Sequence, residues 1–125
     1  PIRRRFQGQA FGREMCQILY NSNMTLNVHI EDARGEASNM RLFEATGLGT
    51  CLVTEWTENL SALFEPEREV VTFRSAEECI DKIRWLSDHA KEREAIARAG
   101  QARTLREHTY YHRAQELIQI LQKFL

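Results

Sequence analysis

Residues 25 to 54 read TLNVHIEDARGEASNMRLFEATGLGTCLVT, and the order of hydrophobic periods inside that stretch decides the fold. Thr25 to Ile30 alternates, with Leu26, Val28 and Ile30 on one side and Asn27 and His29 on the other, which is the two-residue period of a strand. Glu31 to Ser38 is a polar loop around Gly35. A short helix is predicted from about Asn39 to Thr46, with Gly47 taking the positive φ that ends it. Thr50 to Thr54 is then a compact apolar strand. Strand, helix and strand in succession form the crossover unit of parallel sheets, because parallel neighbours need a long connection that returns the chain to the same end.

The same alternation continues on both sides. Ile2 to Phe6 reads as a candidate first strand, Gly8 and Gly12 mark a loop, and Gly12 to Tyr20 carries the helical stripe Met15, Ile18 and Leu19. Downstream, Thr57 is expected to cap a short helix bearing Leu60, Leu63 and Phe64, which Pro66 stops, and Glu69 to Phe73 is a further strand. Ser75 with Glu78 forms a capping box before a helix striped by Cys79, Ile80, Ile83 and Leu86. Asp88 is expected to cap the next helix, with Ile96 and Ala99 inward and Gly100 ending or weakening it. From Thr109 onward, Tyr110, Ala114, Leu117, Ile118, Leu121 and Phe124 make the most regular stripe in the chain. The fold class predicted is α/β: one domain over residues 1–125, with a small parallel sheet of three to four strands flanked by helices and a helical C-terminal end.

Composition narrows the function classes. With 125 residues, 42% of them hydrophobic, and only 2 Pro and 6 Gly, the chain is neither disordered nor low-complexity. Seventeen basic residues against 18 acidic ones give a net charge of -1, which argues against nucleic acid held through its phosphates; Arg3-Arg4-Arg5 is the only dense basic run. No apolar run approaches the roughly 20 residues of a transmembrane helix. Cys16, Cys51 and Cys79 fit no Cys-x-x-Cys motif and no even disulfide set, so reduced, buried thiols in a cytoplasmic protein are expected. The first residue is Pro1 and no signal-peptide layout follows, so a piece of a longer polypeptide is expected.

In an open parallel sheet, ligands bind beyond the carboxyl ends of the strands. Two loops qualify: Glu31 to Ser38, leading into Asn39-Met40-Arg41, and Glu55-Trp56-Thr57-Glu58-Asn59. Both are predicted to open on the same edge. A helix amino end suits a phosphate, and Arg41 would add a cation there. It could equally offset Glu44 or Glu36 at the surface. Glu36 and Glu44, with seven residues between them, place one carboxylate in the loop and one in the helix. A carboxylate accepts two hydroxyl hydrogen bonds at once, as a sugar diol requires. Asn39 reads as a helix cap that can also serve a ligand. Trp56 suits stacking on a base or sugar, or cover of the core edge. Glu58 and Asn59 either line the site or favour their own helix terminus. His29 reads as a satisfied packing residue. No metal constellation is evident: His108 and His112 stand four apart without a third ligand.

The run Asn39 to Thr50, the strand after it, and Thr54-Glu55-Trp56-Thr57-Glu58-Asn59-Leu60 resemble the carboxyl-terminal domain of glycosyltransferases with two Rossmann-like domains, the GT-B fold. In particular they are similar to the CgeB-like (spore maturation protein) branch of the group 1 glycosyltransferases. Phe64-Glu65-Pro66, Val71 to Ser75, Arg93 to Ala97 and Arg106 to Tyr110 continue the likeness. The resemblance implies a Rossmann-like half-site for a nucleotide-diphosphate sugar as donor substrate, with no other cofactor and no metal. It puts the diphosphate near the loop before Asn39, the Glu44 carboxylate on the nucleotide ribose, and Glu36 as the catalytic candidate touching the sugar. Ser38, Asn39, Arg41, Trp56, Glu58 and Asn59 complete the substrate-binding set. Where that superfamily has a Gly-Phe-Gly-like run after the first Glu, this chain has Ala37-Ser38-Asn39. The acceptor is unknown and would be held by a missing amino-terminal domain, so these residues alone are expected to be inactive. The other reading is a non-enzymatic α/β module that binds a nucleotide or a protein along the same edge. The apolar end from Leu121 to Leu125 offers a face for a missing domain or for a homo-oligomer.

Overall fold

A computed structural model describes residues 4–29, 36, 37 and 39–125. The elements run α1 (Gly12–Tyr20), β1 (Met24–Asn27), α2 (Arg41–Gly47), β2 (Cys51–Glu55), α3 (Leu60–Leu63), β3 (Val71–Phe73), α4 (Ala76–Asp88), α5 (Ala90–Glu107) and α6 (Tyr110–Gln122). The three strands form one parallel sheet in the order β1-β2-β3. The fold is therefore α/β with helices on both faces of a small sheet, as the alternation of periods predicts. Of the candidate first strand, none of Arg4 to Phe6 lies in a strand, and residues 1–3 lie outside the described residues.

β2 is the central strand, and Cys51, Leu52, Val53 and Thr54 are all buried. Its side chains alternate between two cores. Leu52 joins Leu19, Leu42, Ala45, Leu60, Phe64 and Val70 on the α1–α2 side. Cys51 and Val53 join Val71, Phe73, Cys79 and Leu86 beneath α4 and α5. Each fully buried Leu or Val stabilises the fold by roughly 1.5–3 kcal/mol, so these two clusters hold the layers together. Burial pushes the Cys51 thiol up to about 11 despite the opposing charge of Arg93, and it also raises Cys79. All three cysteines are free thiols, with Cys16 only half-buried.

Several local expectations change in the folded chain. β1 turns its predicted apolar face outward: Leu26 is 53% and Val28 58% exposed, whereas Asn27 is buried. Register explains it, because Leu26 lies beside Val53 on the α4–α5 side, and those two helices pack on β3 and β2, so that of β1 only Met24 reaches this core and Leu26 stays uncovered. The stripe of α6 likewise buries nothing. Positive φ after α2 falls on Gly49 rather than Gly47. α5 is capped by His89, Asp88 being the last residue of α4. Gly100 does not end α5: it is buried inside the helix, and a Cβ there would lie 2.3 Å from the Glu69 carbonyl oxygen, so glycine lets helix and backbone touch. Ser75 caps α4 by accepting from the Glu78 N–H, but the Glu78 carboxylate reaches the Arg74 N–H instead of returning to Ser75.

The outer edge of β3 is closed by side chains. The Thr72 N–H donates to Glu67 Oε1 at 3.0 Å, and the Thr72 carbonyl accepts from Lys82 Nζ at 2.7 Å. Glu67 adopts φ 64 to do this, a left-handed conformation that its bonds to Thr72 and Lys82 compensate. Among the described residues no strand pairs with the outer edge of β1, and no helix is long and apolar enough to cross a membrane.

Candidate functional site

The two loops expected to share an edge do meet. Asn59 mimics a strand partner toward Ala37: its Oδ1 accepts the Ala37 N–H at 2.7 Å and its Nδ2 donates to the Ala37 carbonyl at 3.1 Å. The Thr57 hydroxyl also donates to Asn59 Oδ1, at 3.1 Å, so Thr57 does not cap α3. Asn59 thereby pins the backbone next to Glu36, whose own side chain is exposed. Its amide is spent on this clamp.

A second polar chain ties the start of α2 to the sheet. Asn27 Nδ2 donates to Thr54 Oγ1 at 3.0 Å, and Asn27 Oδ1 accepts from Asn39 Nδ2 at 2.9 Å. Asn39 is therefore not the cap of α2, a position held by Met40 without a side-chain bond. Asn39 Oδ1 is buried and lacks a partner among the described residues, as does His29 Nε2. The His29 backbone N–H reaches Glu55 Oε2 at 3.2 Å. Arg41 opens α2 and approaches Glu44 to 3.5 Å, with both side chains partly exposed, so the pair contributes at most about 1 kcal/mol. The Trp56 ring is covered by the Arg74 guanidinium, 3.7 Å from its centroid. Glu58 is exposed. Ser38 and Glu31 to Gly35 lie outside the described residues.

Glu44 opens onto a cavity of about 420 Å³ between α2 and the junction of α5 with α6. Met40, Phe43, Thr109, Tyr110 and Arg113 complete its wall. At the junction, His108 packs against the rings of Phe43 and Phe64, with centroids 5.1 and 5.3 Å away. Its Nε2 lies 2.8 Å from the Leu63 carbonyl, which can only accept, so that nitrogen carries the proton and Nδ1 accepts from Arg113 Nη2. Arg113 is held from its other side by both oxygens of Glu116. Thr109 caps α6 in a reciprocal box with His112. From the sequence, none of these junction residues is placed in the binding site: His108 and His112 are weighed only as a metal pair, and Arg106 to Tyr110 only as part of the family likeness.

A larger cavity of about 1090 Å³ lies between α4 and α5, over Trp85, Leu86 and Ile96 and beside Lys82, and none of the expected site residues line it. Among the described residues no group of three or more His, Cys, Asp or Glu could hold a metal ion. What decides kinship is the chain as a whole: a family model described as glycosyl transferase-like matches residues 3–119. The chain belongs to the glycosyl transferase-like family. No curated protein and no solved structure matches it. The glycosyl transferase-like match covers both clamped loops, α2 with Glu44, and the junction that walls the cavity.

Proposed function

We propose that this chain is the donor-binding part of a glycosyltransferase, holding a nucleotide-diphosphate sugar at the carboxyl edge of the sheet while its sugar passes to an acceptor bound elsewhere. The observation that carries this reading is the Asn59–Ala37 clamp, which fixes Ala37, next to Glu36, against the β2–α3 loop in a glycosyl transferase-like chain. Backbone held in place at this edge supplies orientation for a ligand.

In this reading Glu44 accepts the two hydroxyls of the ribose. Its carboxylate has the capacity to do so, because the Arg41 pair at 3.5 Å is long and partly exposed. Arg41 faces the negative diphosphate, assisted only weakly by the dipole of a helix as short as seven residues. Glu36, exposed beside the pinned Ala37, is available to the transferred sugar. As the C1–O bond breaks, the electron pair stays with the departing diphosphate, and nearby cations lower the barrier by meeting that charge. The resemblance to CgeB-like, two-domain enzymes supports a metal-independent transfer in which a second domain brings the acceptor and any general base.

The test is a titration with UDP, GDP, ADP and dTDP sugars followed by amide chemical shifts. Saturable shifts at residues 36–44 and 55–59, weakened at least tenfold by Glu44→Ala, are expected. Shifts confined to other parts of the chain, or an unchanged affinity in Glu44→Ala, would count against the donor site.

A further inference from the structure

Glu44 does not stand alone in its cavity. The opposite wall comes from residues more than sixty positions later, at the break between α5 and α6. A volume of about 420 Å³ lies within the range of roughly 300–1,000 Å³ in which small molecules bind. Two of its walls are large side chains left open to solvent, Met40 at 59% and Tyr110 at 80%. A thioether and an aromatic ring, both exposed at this cavity, offer surfaces on which a flat ring can stack.

The third wall is a cation aimed by its neighbours. Arg113 has five N–H donors: Nη1 engages both Glu116 oxygens, at 2.7 and 2.6 Å, and Nη2 engages His108 Nδ1. His108 is itself fixed by the Leu63 carbonyl and by the rings of Phe43 and Phe64. Arg113 is thus anchored from the α5–α6 junction, through His108, and from Glu116 within α6, while its Nε–H has no partner among the described residues. The Arg113 side chain is 41% exposed, so its remaining donors face solvent and can exchange water for an acceptor on a ligand.

We infer that this cavity is the nucleobase half of the donor site, in which Met40 and Tyr110 sandwich the base and Arg113 reads a carbonyl on its edge. The inference rests on the reading of Glu44 as the ribose ligand and adds the substrate class: a keto base such as uracil, thymine or guanine. Adenine presents an amino group where those bases carry an oxygen, and two donors then face each other.

The experiment measures the affinities of UDP, GDP and ADP for the wild-type chain and for Tyr110→Ala, Met40→Ala and Glu44→Ala, together with contacts from the Met40 methyl group to base protons by NMR. Tyr110 and Met40 are exposed, so these variants fold. Circular dichroism checks it. Loss of one stacking partner should weaken UDP and GDP about fivefold or more, and ADP should bind at least tenfold more weakly than UDP. Binding that Glu44→Ala weakens but Tyr110→Ala and Met40→Ala leave unchanged would overturn the base pocket while sparing the donor reading. Equal affinity for ADP and UDP would overturn the role of Arg113. Binding of none of the nucleotides would overturn this inference and the donor reading together.

Discussion

Gly100 sits inside the 18-residue helix α5, where alanine would ordinarily stabilise by about 1 kcal/mol. Here the added methyl would meet the Glu69 carbonyl oxygen at 2.3 Å, and a backbone atom cannot swing aside as a side chain can. The clash outweighs the propensity gain: Gly100→Ala is expected to cost about 2 kcal/mol net, read as a lower urea midpoint at unchanged slope. Cys51 makes a pH-dependent prediction. Its native thiol, pushed to about 11, keeps its proton where an unfolded thiol with the ordinary value of 9.0 gives it up. Its contribution to stability is full below pH 9 and disappears as pH rises through about 11. Between those values the urea midpoint of the wild type should fall more steeply than that of Cys51→Ala. Alkylation at pH 8 should label the half-buried Cys16 in the native state and spare Cys51.

Among the elements, α4 and α6 look alike in sequence, both thirteen residues long with an apolar stripe. They differ in what lies beneath them. Leu86 of α4 is 1% exposed inside the second core, so Leu86→Ala should cost about 2–5 kcal/mol. Leu117 of α6 is 56% exposed, and Leu117→Ser should stay within about 0.5 kcal/mol by the same denaturation measurement. The sequence revealed both helices by their period but not the difference between them, since period reports an amphipathic face and says nothing about whether a partner covers it. β1 repeats the point: its alternation was legible, and the buried side proved to be that of Asn27, because α4 and α5 do not extend over Leu26. At the site, the two loops and their shared edge were legible from strand order. The grip of Asn59 on Ala37, the diversion of Asn39 to Asn27, and the wall made by His108, Tyr110 and Arg113 were not. Each depends on residues brought together across the chain by packing, which local spacing does not encode.

For the molecule as a whole, the two borders of the sheet are treated differently. On β3, Glu67 and Lys82 occupy the outward N–H and carbonyl of Thr72, the groups a further strand would need. Lys82→Ala should free that carbonyl, lower stability by about 1 kcal/mol, and increase light scattering on mild heating. On β1, no described side chain takes that place, and Leu26 and Val28 stand exposed beside it. An object with one usable border can be joined once. If two copies meet along β1, the pair has a sealed β3 at each end and no position for a third, so strand pairing in this protein terminates at two and does not run on into a ribbon.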